Sequence, residues 1–594
     1  MTGGDAWSNS AYWLLRTAAV SVQNVYNYNK SVLPLRCLGG LLIAAAAIHA
    51  APAIFPLKDI RAGQHGIGRT VFSGSRVEEF DVEILGVLEN LGPKESIILG
   101  RLKGGPLADT GVMQGMSGSP VYIDGKLAGA VALSFPYSKD AIAGIRPIED
   151  MLRVQPDGPR MMARNRFIAR DARLEEIATP VSFSGFTSAT LEHFGAQLRE
   201  MGMDPRQGVT GGGNPTDRMG DPKSIQPGSM ISAQLLSGDY SISADGTVTY
   251  IDGDRIYAFG HRFLDGGPSD IPFARAEVLA LLPNVSSSFK ISAAREWMGT
   301  LTDDRSTAVS GVVGRRAAMV PVDIRVGKNV YRMQVIQDRV MTPLVAQMAL
   351  FSAIDATERA QGGSTFSVRG HLDFEGGSVR IDNVYSGDVA VPALASLGVG
   401  TSLSYAMASG FDAFKLKGVT LDVGVIDRKS QMQIADIAAP RSVRPGEEVE
   451  LIVTLAGENG VESQQKVLYR VPVGAPLGPI NFTAADAAST NMTEFGASIG
   501  LQYHSPGQVL GFLNGLRSNT KAYIRVWRNE AAYTIDGRDL PSPPPSVAMI
   551  LNRAQAQATN LPNLRGSKLA EIEIAAGENF VTGSKTVQVE VKEQ

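Results

Sequence analysis

The most informative stretch of the sequence is Gln114-Gly115-Met116-Ser117-Gly118-Ser119-Pro120. Glycine tolerates positive φ and leaves neighbouring N–H groups uncovered, so a serine flanked by glycines in this way can be presented as a nucleophile. The apolar residues Val121 to Ile123, an Asp-Gly turn and the run Leu127 to Leu133 follow, and this pattern predicts a β-hairpin leaving the turn. An α/β-hydrolase nucleophile needs glycine at the +2 position and a helix next, so that fold is excluded.

Alternating apolar runs on both sides of the serine turn predict a small β-barrel. The predicted strands are Gly66 to Phe72, Phe80 to Leu88, Ser96 to Leu102, Pro120 to Ile123, Leu127 to Leu133 and Ala141 to Ile145. A helix should begin at Pro147, because proline and acidic residues are favoured in a first helical turn.

A second set of strand patterns begins at Ser229 and is long enough to close another barrel. A helix over Thr187 to Met201 and a Gly/Pro-rich linker or long loop over Gly208 to Gly228 are predicted before it. The strands are Ser229 to Leu236, Gly246 to Ile251, Arg255 to Phe259, Ile271 to Leu282, Ser287 to Ile291 and Thr307 to Val313. Pro343 to Ala360 and Val389 to Phe411 are predicted helices around this barrel.

The C-terminal part has a different pattern of apolar residues. Arg441 to Val473 alternates as strands of a β-sandwich do, and the remaining chain mixes helix and strand patterns as a small α+β segment does. The sequence therefore predicts a mainly β, multidomain protein. The predicted divisions are an N-terminal extension with the signal (1–55), the serine-bearing barrel (56–160), a helix and Gly/Pro-rich connector (161–228), the second barrel with helical additions (229–437), a sandwich-like domain (438–503) and an α+β domain (504–594).

The serine turn resembles the nucleophile loop of trypsin-like serine peptidases, in which Gly-x-Ser-Gly-(Gly/Ser)-Pro leads into a hairpin. More closely, Gln114 to Leu152 resembles the SpoIVB peptidase family of bacterial serine endopeptidases, whose Gln-Gly-Met-Ser-Gly-Ser-Pro carries the nucleophile. The resemblance implies two trypsin-like barrels, Ser117 as nucleophile, and the N–H groups of Gly115 and Ser117 as an oxyanion hole. The alternative is a tight Gly/Ser turn without chemistry.

A serine nucleophile requires a base, and the chain contains six histidines. The segments Gly246-Thr247-Val248-Thr249-Tyr250 and Tyr257-Ala258-Phe259-Gly260-His261 resemble the family's Gly-Thr-Leu-Thr-(Tyr/Phe) and Gly-Ala-Leu-Gly-His, whose histidine is the catalytic base. The resemblance therefore implies that His261 is the base, and the alternative is a strand-end histidine satisfied by the backbone. The serine block precedes the histidine block here, which reverses the order of trypsin-like peptidases.

The orienting acid cannot be transferred from the family, because its position falls on Leu102 or Lys103 in this sequence. Physical reasoning asks for an aspartate that shares the histidine's barrel and approaches Nδ1 from a loop. The alternative for such a residue is an ordinary turn acid paired with Arg305. The candidates are Asp304 first, then Asp303 and Asp109, with Asp265 and Asp270 behind them.

Leu33 to Ala53 has a basic residue, a short apolar core and small residues, which predicts a secretory signal cleaved after Ala50 or Ala53. The core is too short for a comfortable bilayer span, and an uncleaved N-terminal anchor is the alternative. The only cysteine, Cys37, precedes the apolar core, so the mature chain would contain none.

Composition and motifs exclude several other functions. The net charge is −3 and the basic residues are scattered, so no nucleic-acid partner is expected. Neither His-Glu-x-x-His nor a phosphate-binding Gly-x-x-x-x-Gly-Lys-Ser/Thr motif is present, so we expect no metal and no cofactor.

The sequence thus predicts a secreted or periplasmic serine endopeptidase of the bacterial cell envelope that acts on protein or peptide substrates. In this prediction the two barrels face each other, and His261 lies within a few ångströms of Ser117. The alternative is an inactive binding or scaffold protein that retains the peptidase fold and recognises its partner through the C-terminal β domain.

Overall fold

The computed structural model describes residues 53–92, 95–154, 174–207, 215–357, 363–388, 390–498, 503, 505–530, 532–535, 538–541, 543–554, 561–563 and 566–593. The predicted secretory signal lies outside the described residues, apart from Ala53. The described chain is mainly β, as the alternating sequence patterns predict.

The first barrel consists of six antiparallel strands: β1 (His65–Val71), β2 (Val77–Gly92), β3 (Glu95–Lys103), β4 (Pro120–Ile123), β5 (Lys126–Ser134) and β6 (Ile142–Pro147). Their order is β4-β1-β2-β3-β6-β5, and β5 pairs back with β4, which closes the ring. All six predicted strands are therefore confirmed. Two four-residue helices, α1 (Leu107–Thr110) and α2 (Ile148–Met151), flank the second half of the barrel.

The segment between the barrels contains β7 (Glu175–Glu176), β8 (Thr179–Ser184), α3 (Ser188–Glu200), β9 (Met203–Gln207) and β10 (Thr216–Met219). Helix α3 confirms the helix predicted before the second barrel. Residues 208–214 of the predicted linker lie outside the described residues, and among the others Thr216–Met219 forms β10, which pairs in parallel with a strand of the second barrel. Gly/Pro content is a local signal, and it does not reveal a partner strand about eighty residues away in sequence.

The second barrel is also a closed ring of six antiparallel strands: β11 (Met230–Gly238), β12 (Ser241–Asp252), β13 (Arg255–Ala258), β14 (Gly267–Leu282), β15 (Phe289–Arg305) and β16 (Ala308–Val313). The order is β11-β14-β15-β16-β13-β12, and β12 pairs back with β11. The predicted second barrel is confirmed. Strand β15 extends well beyond the predicted Ser287 to Ile291, because it pairs with both β14 and β16.

The sheet of the second barrel continues from β11 into β17 (Met319–Val326), β18 (Asn329–Ile336), β19 (Ser364–Phe374), β20 (Gly377–Gly387) and β21 (Leu416–Ile426). Two apolar helices, α4 (Met341–Thr357) and α5 (Val391–Ala408), share its core. Among the described residues, α5 is the one helix long and apolar enough to cross a membrane, and half of that window is buried inside the protein. A half-buried helix of this kind is what the core of a water-soluble domain also contains.

A β-sandwich forms the C-terminal part. Its strands are β22 (Gln431–Ala438), β23 (Ser442–Val443), β24 (Glu448–Gly457), β25 (Glu462–Arg470), β26 (Gly478–Ala485), β27 (Lys521–Arg528), β31 (Ser567–Ala575), β32 (Phe580–Thr582) and β33 (Ser584–Val591). The sheets β25-β24-β22-β32 and β23-β33-β26-β27-β31 share one apolar core. Inserted elements are α6 (Ala487–Ser498), α7 (Pro506–Asn514), β28 (Ala532–Ile535), β29 (Arg538–Pro541), α8 (Pro545–Ala554) and β30 (Leu561–Asn563).

The boundary predicted at residue 503 falls inside this sandwich. Strand β26, before it, pairs with β27 and β33, after it. Helix α7 moreover contributes Val509 and Leu513 to the core of the second barrel rather than to a separate C-terminal domain. Local periodicity does not reveal the pairing of β26 with β33, whose residues are about one hundred positions apart in sequence, and the sequence patterns therefore divided one sandwich in two.

Candidate active site

The serine turn joins the third and fourth strands of the first barrel and lies against β12 and β15 of the second. Gly115 and Gly118 have φ angles of 89° and 92°, so both occupy conformations that favour glycine. At Gly118 the approach of β12 is very close, since an ideal Cβ there would lie 2.0 Å from the carbonyl oxygen of Thr247. The turn conformation predicted from the sequence is therefore present and is enclosed by the second barrel.

Every backbone carbonyl from Gln114 to Ser119 accepts a hydrogen bond, and four of the six donors come from the second barrel. These four are Lys290 N to Gln114 O (3.2 Å), Thr247 Oγ1 to Gly115 O (2.9 Å), Thr247 N to Ser117 O (2.8 Å) and Thr249 Oγ1 to Gly118 O (2.6 Å). The other two, from the first barrel, are Ser119 N to Met116 O (2.9 Å) and Val131 N to Ser119 O (2.9 Å). The orientation of each peptide unit in the turn is consequently set from outside it.

The backbone N–H groups of the same turn are only partly used. Those of Gln114, Met116, Gly118 and Ser119 donate to backbone carbonyls, at 2.8, 3.1, 2.8 and 2.9 Å respectively. Among the described residues, no acceptor is present for the N–H groups of Gly115 and Ser117. These are the two groups that the resemblance assigns to an oxyanion hole. Two free donors next to a serine hydroxyl can bind a carbonyl oxygen that gains negative charge.

His261 follows β13 at the end of a strained segment. Phe259 and Gly260 have φ angles of 67° and 71°, and a positive φ is unusual for a residue as bulky as phenylalanine. Gly260 packs against the first barrel, where an ideal Cβ would lie 3.2 Å from Ala132 Cβ. Strain of this kind persists only where the surrounding structure imposes it, and it is concentrated at functional sites.

The His261 imidazole is buried and held by a backbone carbonyl. Its Nδ1 lies 2.6 Å from the carbonyl oxygen of Arg262, so Nδ1 is assigned as the protonated nitrogen. Burial lowers the pKa of His261 below its ordinary value, although Glu176 acts in the opposite direction. The ring is therefore neutral near pH 7, with Nε2 as its unprotonated nitrogen, which is the form that a general base requires.

The predicted nucleophile, Ser117, and the predicted base, His261, lie on adjoining segments. An ideal Cβ on Gly118 would be 2.6 Å from the backbone nitrogen of Phe259, so the serine turn and the histidine segment are in contact. Within the described structure, Ser117 Oγ and His261 Nε2 are both buried and neither has a hydrogen-bond partner. They do not bond to each other in this conformation, and their predicted catalytic contact stays a prediction.

The predicted acids make other contacts. Asp304 accepts hydrogen bonds from the backbone N–H groups of Phe263 (2.8 Å), Leu264 and Asp265 (2.8 Å), so it holds the loop that follows His261. Burial raises the pKa of Asp304 to about 6. Asp303 pairs with Arg305 at 3.5 Å, which is the arrangement considered above as the alternative for a turn acid.

The remaining candidates also lie elsewhere. Asp265 pairs with Arg262 at 3.4 Å, Asp270 pairs with Arg315 at 3.0 Å, and Asp109 is an exposed residue of α1. None of the five predicted acids bonds to His261 in the described structure. The carbonyl of Arg262 occupies the position on Nδ1 that sequence reasoning reserved for an aspartate, and no side-chain motif could have indicated a backbone group.

A buried lysine also contacts the serine turn. Lys290 lies on β15, its side chain passes Gly115 with Cδ 3.2 Å from an ideal Cβ there, and its Nζ donates to Thr70 Oγ1 at 2.8 Å. Burial lowers the pKa of Lys290 to about 7, and the nearby Asp245 opposes this shift. Asp245 is itself buried and accepts a short hydrogen bond from Ser292.

The sequence patterns did not reveal Lys290, Thr247 and Thr249 as neighbours of the serine turn. The two threonines belong to the Gly-Thr-Val-Thr-Tyr segment quoted above, which was the available signal. No group of three or more His, Cys, Asp or Glu side chains that could hold a metal ion occurs in the part of the chain that the structure describes.

The described fold has two closed six-stranded barrels, with a serine turn from one and a Gly-His segment from the other at their junction, in agreement with the predicted two-barrel architecture. The model of the SpoIVB peptidase family S55 matches residues 44–152. This match confirms the resemblance to SpoIVB-type serine peptidases. It covers the first barrel with the serine turn and ends before the His261 segment. No curated protein and no solved structure matches the chain.

Proposed function

We propose that the protein is a SpoIVB-type serine endopeptidase that hydrolyses protein or peptide substrates through an acyl-enzyme. The observation that carries the proposal is the pair of free N–H groups, from Gly115 and Ser117, in a turn whose other N–H groups and all of whose carbonyls are hydrogen-bonded. Backbone donors kept free beside a serine have a ready use in stabilising an oxyanion.

In this mechanism Ser117 Oγ attacks the substrate carbonyl carbon while His261 Nε2 accepts the hydroxyl proton. The Arg262 carbonyl holds Nδ1–H and so keeps the imidazole in the tautomer with a free Nε2. The N–H groups of Gly115 and Ser117 bind the oxyanion. The imidazolium then donates its proton to the leaving amine, and water hydrolyses the acyl-enzyme through the same steps.

The described conformation is closed around these groups. The exposed fraction is 0% for Ser117 and 2% for His261. The proposed reaction therefore requires a rearrangement on substrate binding that admits a peptide carbonyl and brings Ser117 Oγ within about 2.6–3.2 Å of Nε2. Two observations support the second candidate, an inactive scaffold that retains the fold. Ser117 and His261 are both buried, and in the described structure no carboxylate is hydrogen-bonded to His261.

Labelling with a small fluorophosphonate, combined with hydrolysis of an unfolded protein such as casein, separates the two candidates. Ser117→Ala should abolish both signals and leave the melting temperature almost unchanged, because one hydroxyl contributes little to the stability of so large a core. Ser119→Ala is the matched control, since Ser119 is also fully buried with an unpaired Oγ in the described structure. Equal failure of wild type and Ser117→Ala would favour the scaffold, and loss only in Ser119→Ala would place the nucleophile at Ser119.

We also propose that the protein is exported to the periplasm or secreted from a bacterial cell. The signal-like composition of Leu33 to Ala53 supports this proposal. The intact mass of protein recovered from the periplasm or medium should correspond to a chain that starts between Ala51 and Ile54. A mass that includes residues 1–42 would indicate an N-terminal anchor instead.

A further inference from the structure

Thr247 and Thr249 of β12 are the side chains of the second barrel that bond directly to carbonyls of the serine turn. Thr247 Oγ1 donates to Gly115 O at 2.9 Å, and Thr249 Oγ1 donates to Gly118 O at 2.6 Å. Both threonines are completely buried. Because they are two residues apart on one strand, both side chains project from the same face of β12, towards the first barrel.

The bond from Thr247 holds the peptide unit between the two free donors. The Gly115–Met116 peptide unit lies between the two peptide units that carry the N–H groups of Gly115 and Ser117. Its carbonyl oxygen, Gly115 O, accepts the hydrogen bond from Thr247 Oγ1. The backbone N–H of Thr247 also donates to Ser117 O at 2.8 Å. One residue of the second barrel therefore contacts the chain on both sides of the Ser117 N–H.

Glycine makes such external support necessary. Gly115 and Gly118 both have positive φ, and glycine has more backbone freedom than any other residue. A planar peptide unit turns its N–H whenever its C=O turns. Without the threonine hydroxyls, the Gly115 and Gly118 carbonyls would be left buried without their donors, and the turn would rearrange to satisfy them.

We propose that Thr247, assisted by Thr249, is a positioning residue that sets the oxyanion-hole geometry of the serine turn from the histidine-bearing barrel. This inference rests on the proposed peptidase function. The threonine hydrogen bonds make oxyanion stabilisation by the first barrel depend on correct packing of the second barrel. The serine turn and the histidine segment therefore reach their working arrangement together.

Thr247→Val tests this inference, because valine keeps the branched shape and removes only the hydroxyl. The kcat should fall about 10- to 100-fold with KM within about twofold, since misplaced oxyanion donors lose interactions that form in the transition state. Thr247→Ser should restore most of the kcat. Thr249→Val should act in the same direction through Gly118, and it provides an independent test if Thr247→Val does not fold.

Thr300→Val is the matched control. Thr300 is completely buried on β15 of the same barrel, and its Oγ1 donates to a backbone carbonyl, that of Arg315 at 3.0 Å, but not to the serine turn. It should retain the wild-type kcat. A kcat for Thr247→Val no lower than that of Thr300→Val would overturn the proposal.

Amide hydrogen exchange over residues 113–119 provides a readout that does not depend on activity. Exchange at Met116 and Gly118 should accelerate in Thr247→Val and stay at the wild-type rate in Thr300→Val. If wild type shows no Ser117-dependent hydrolysis, the proposed function fails, and the exchange rates still decide whether Thr247 positions the turn. Unchanged exchange in Thr247→Val would overturn the positioning role by itself.

Discussion

Replacing Gly118 with alanine tests the contact between the serine turn and the second barrel. An alanine Cβ at this position would lie 2.0 Å from Thr247 O and 2.6 Å from the backbone nitrogen of Phe259. Both neighbours are backbone atoms, so neither can move aside by changing a rotamer. The φ angle of 92° adds a conformational cost of its own.

The magnitude follows from these two contributions. A side chain at positive φ costs about 1–2 kcal/mol. Overfilling a tightly packed site typically costs a further 1–3 kcal/mol, about 2–5 kcal/mol in total. Gly125 is the matched control, because it has a φ of 74° in the β4–β5 turn of the same barrel and no atom lies within 4 Å of its ideal Cβ. Gly125→Ala should therefore cost only the first contribution, about 1–2 kcal/mol.

Urea unfolding followed by circular dichroism, together with the hydrolysis assay, measures both consequences. Gly118→Ala should unfold at a lower urea concentration than Gly125→Ala. It should also lose activity, because β12 must retreat and take its three hydrogen bonds to the turn with it. Equal unfolding midpoints for the two variants, or full activity in Gly118→Ala, would refute the described contact between the barrels.

Two further predictions concern protonation. Burial lowers the pKa of His261 below 6.5, so the acid limb of the pH profile of kcat/KM should lie below pH 6.5. Glu176 raises the pKa of His261, so Glu176→Gln should move the acid limb to lower pH. The control variant Glu175→Gln should leave the acid limb where it is in the wild type. The stability contributed by the neutral His261 is correspondingly full above pH 6.5 and is lost as the pH falls through its folded-state pKa. Lys290 has a folded-state pKa of about 7 against 10.5 in the unfolded chain, so wild type should gain stability relative to Lys290→Met as the pH rises from 7 to 10. Melting temperatures of both proteins across this range check the sign, and a constant difference would mean that Lys290 is not buried as described.

The local features of this protein can be predicted from its sequence patterns. Two glycines around Ser117 specified a turn with positive φ, because no other residue adopts that conformation so readily. Short apolar runs bounded by turn residues located all twelve barrel strands, although strands such as β5, β11 and β12 are buried along nearly their whole length and so on both faces. The Gly-Thr-Val-Thr-Tyr segment could be recognised as a motif in the sequence. Its residue spacing did not indicate that its threonines bind the carbonyls of the serine turn.

How these elements pack against one another depends on contacts between residues that are far apart in sequence. Thr247 and Thr249 act on carbonyls about 130 residues away in sequence. The partner of His261 Nδ1 is the carbonyl of Arg262, which every residue type possesses, so no pattern of side chains could identify it. The single C-terminal sandwich likewise depends on β26 pairing with β33. Local periodicity reports which residues of a strand are buried but not which strand lies beside it, and the candidate active site depends on which segments lie side by side.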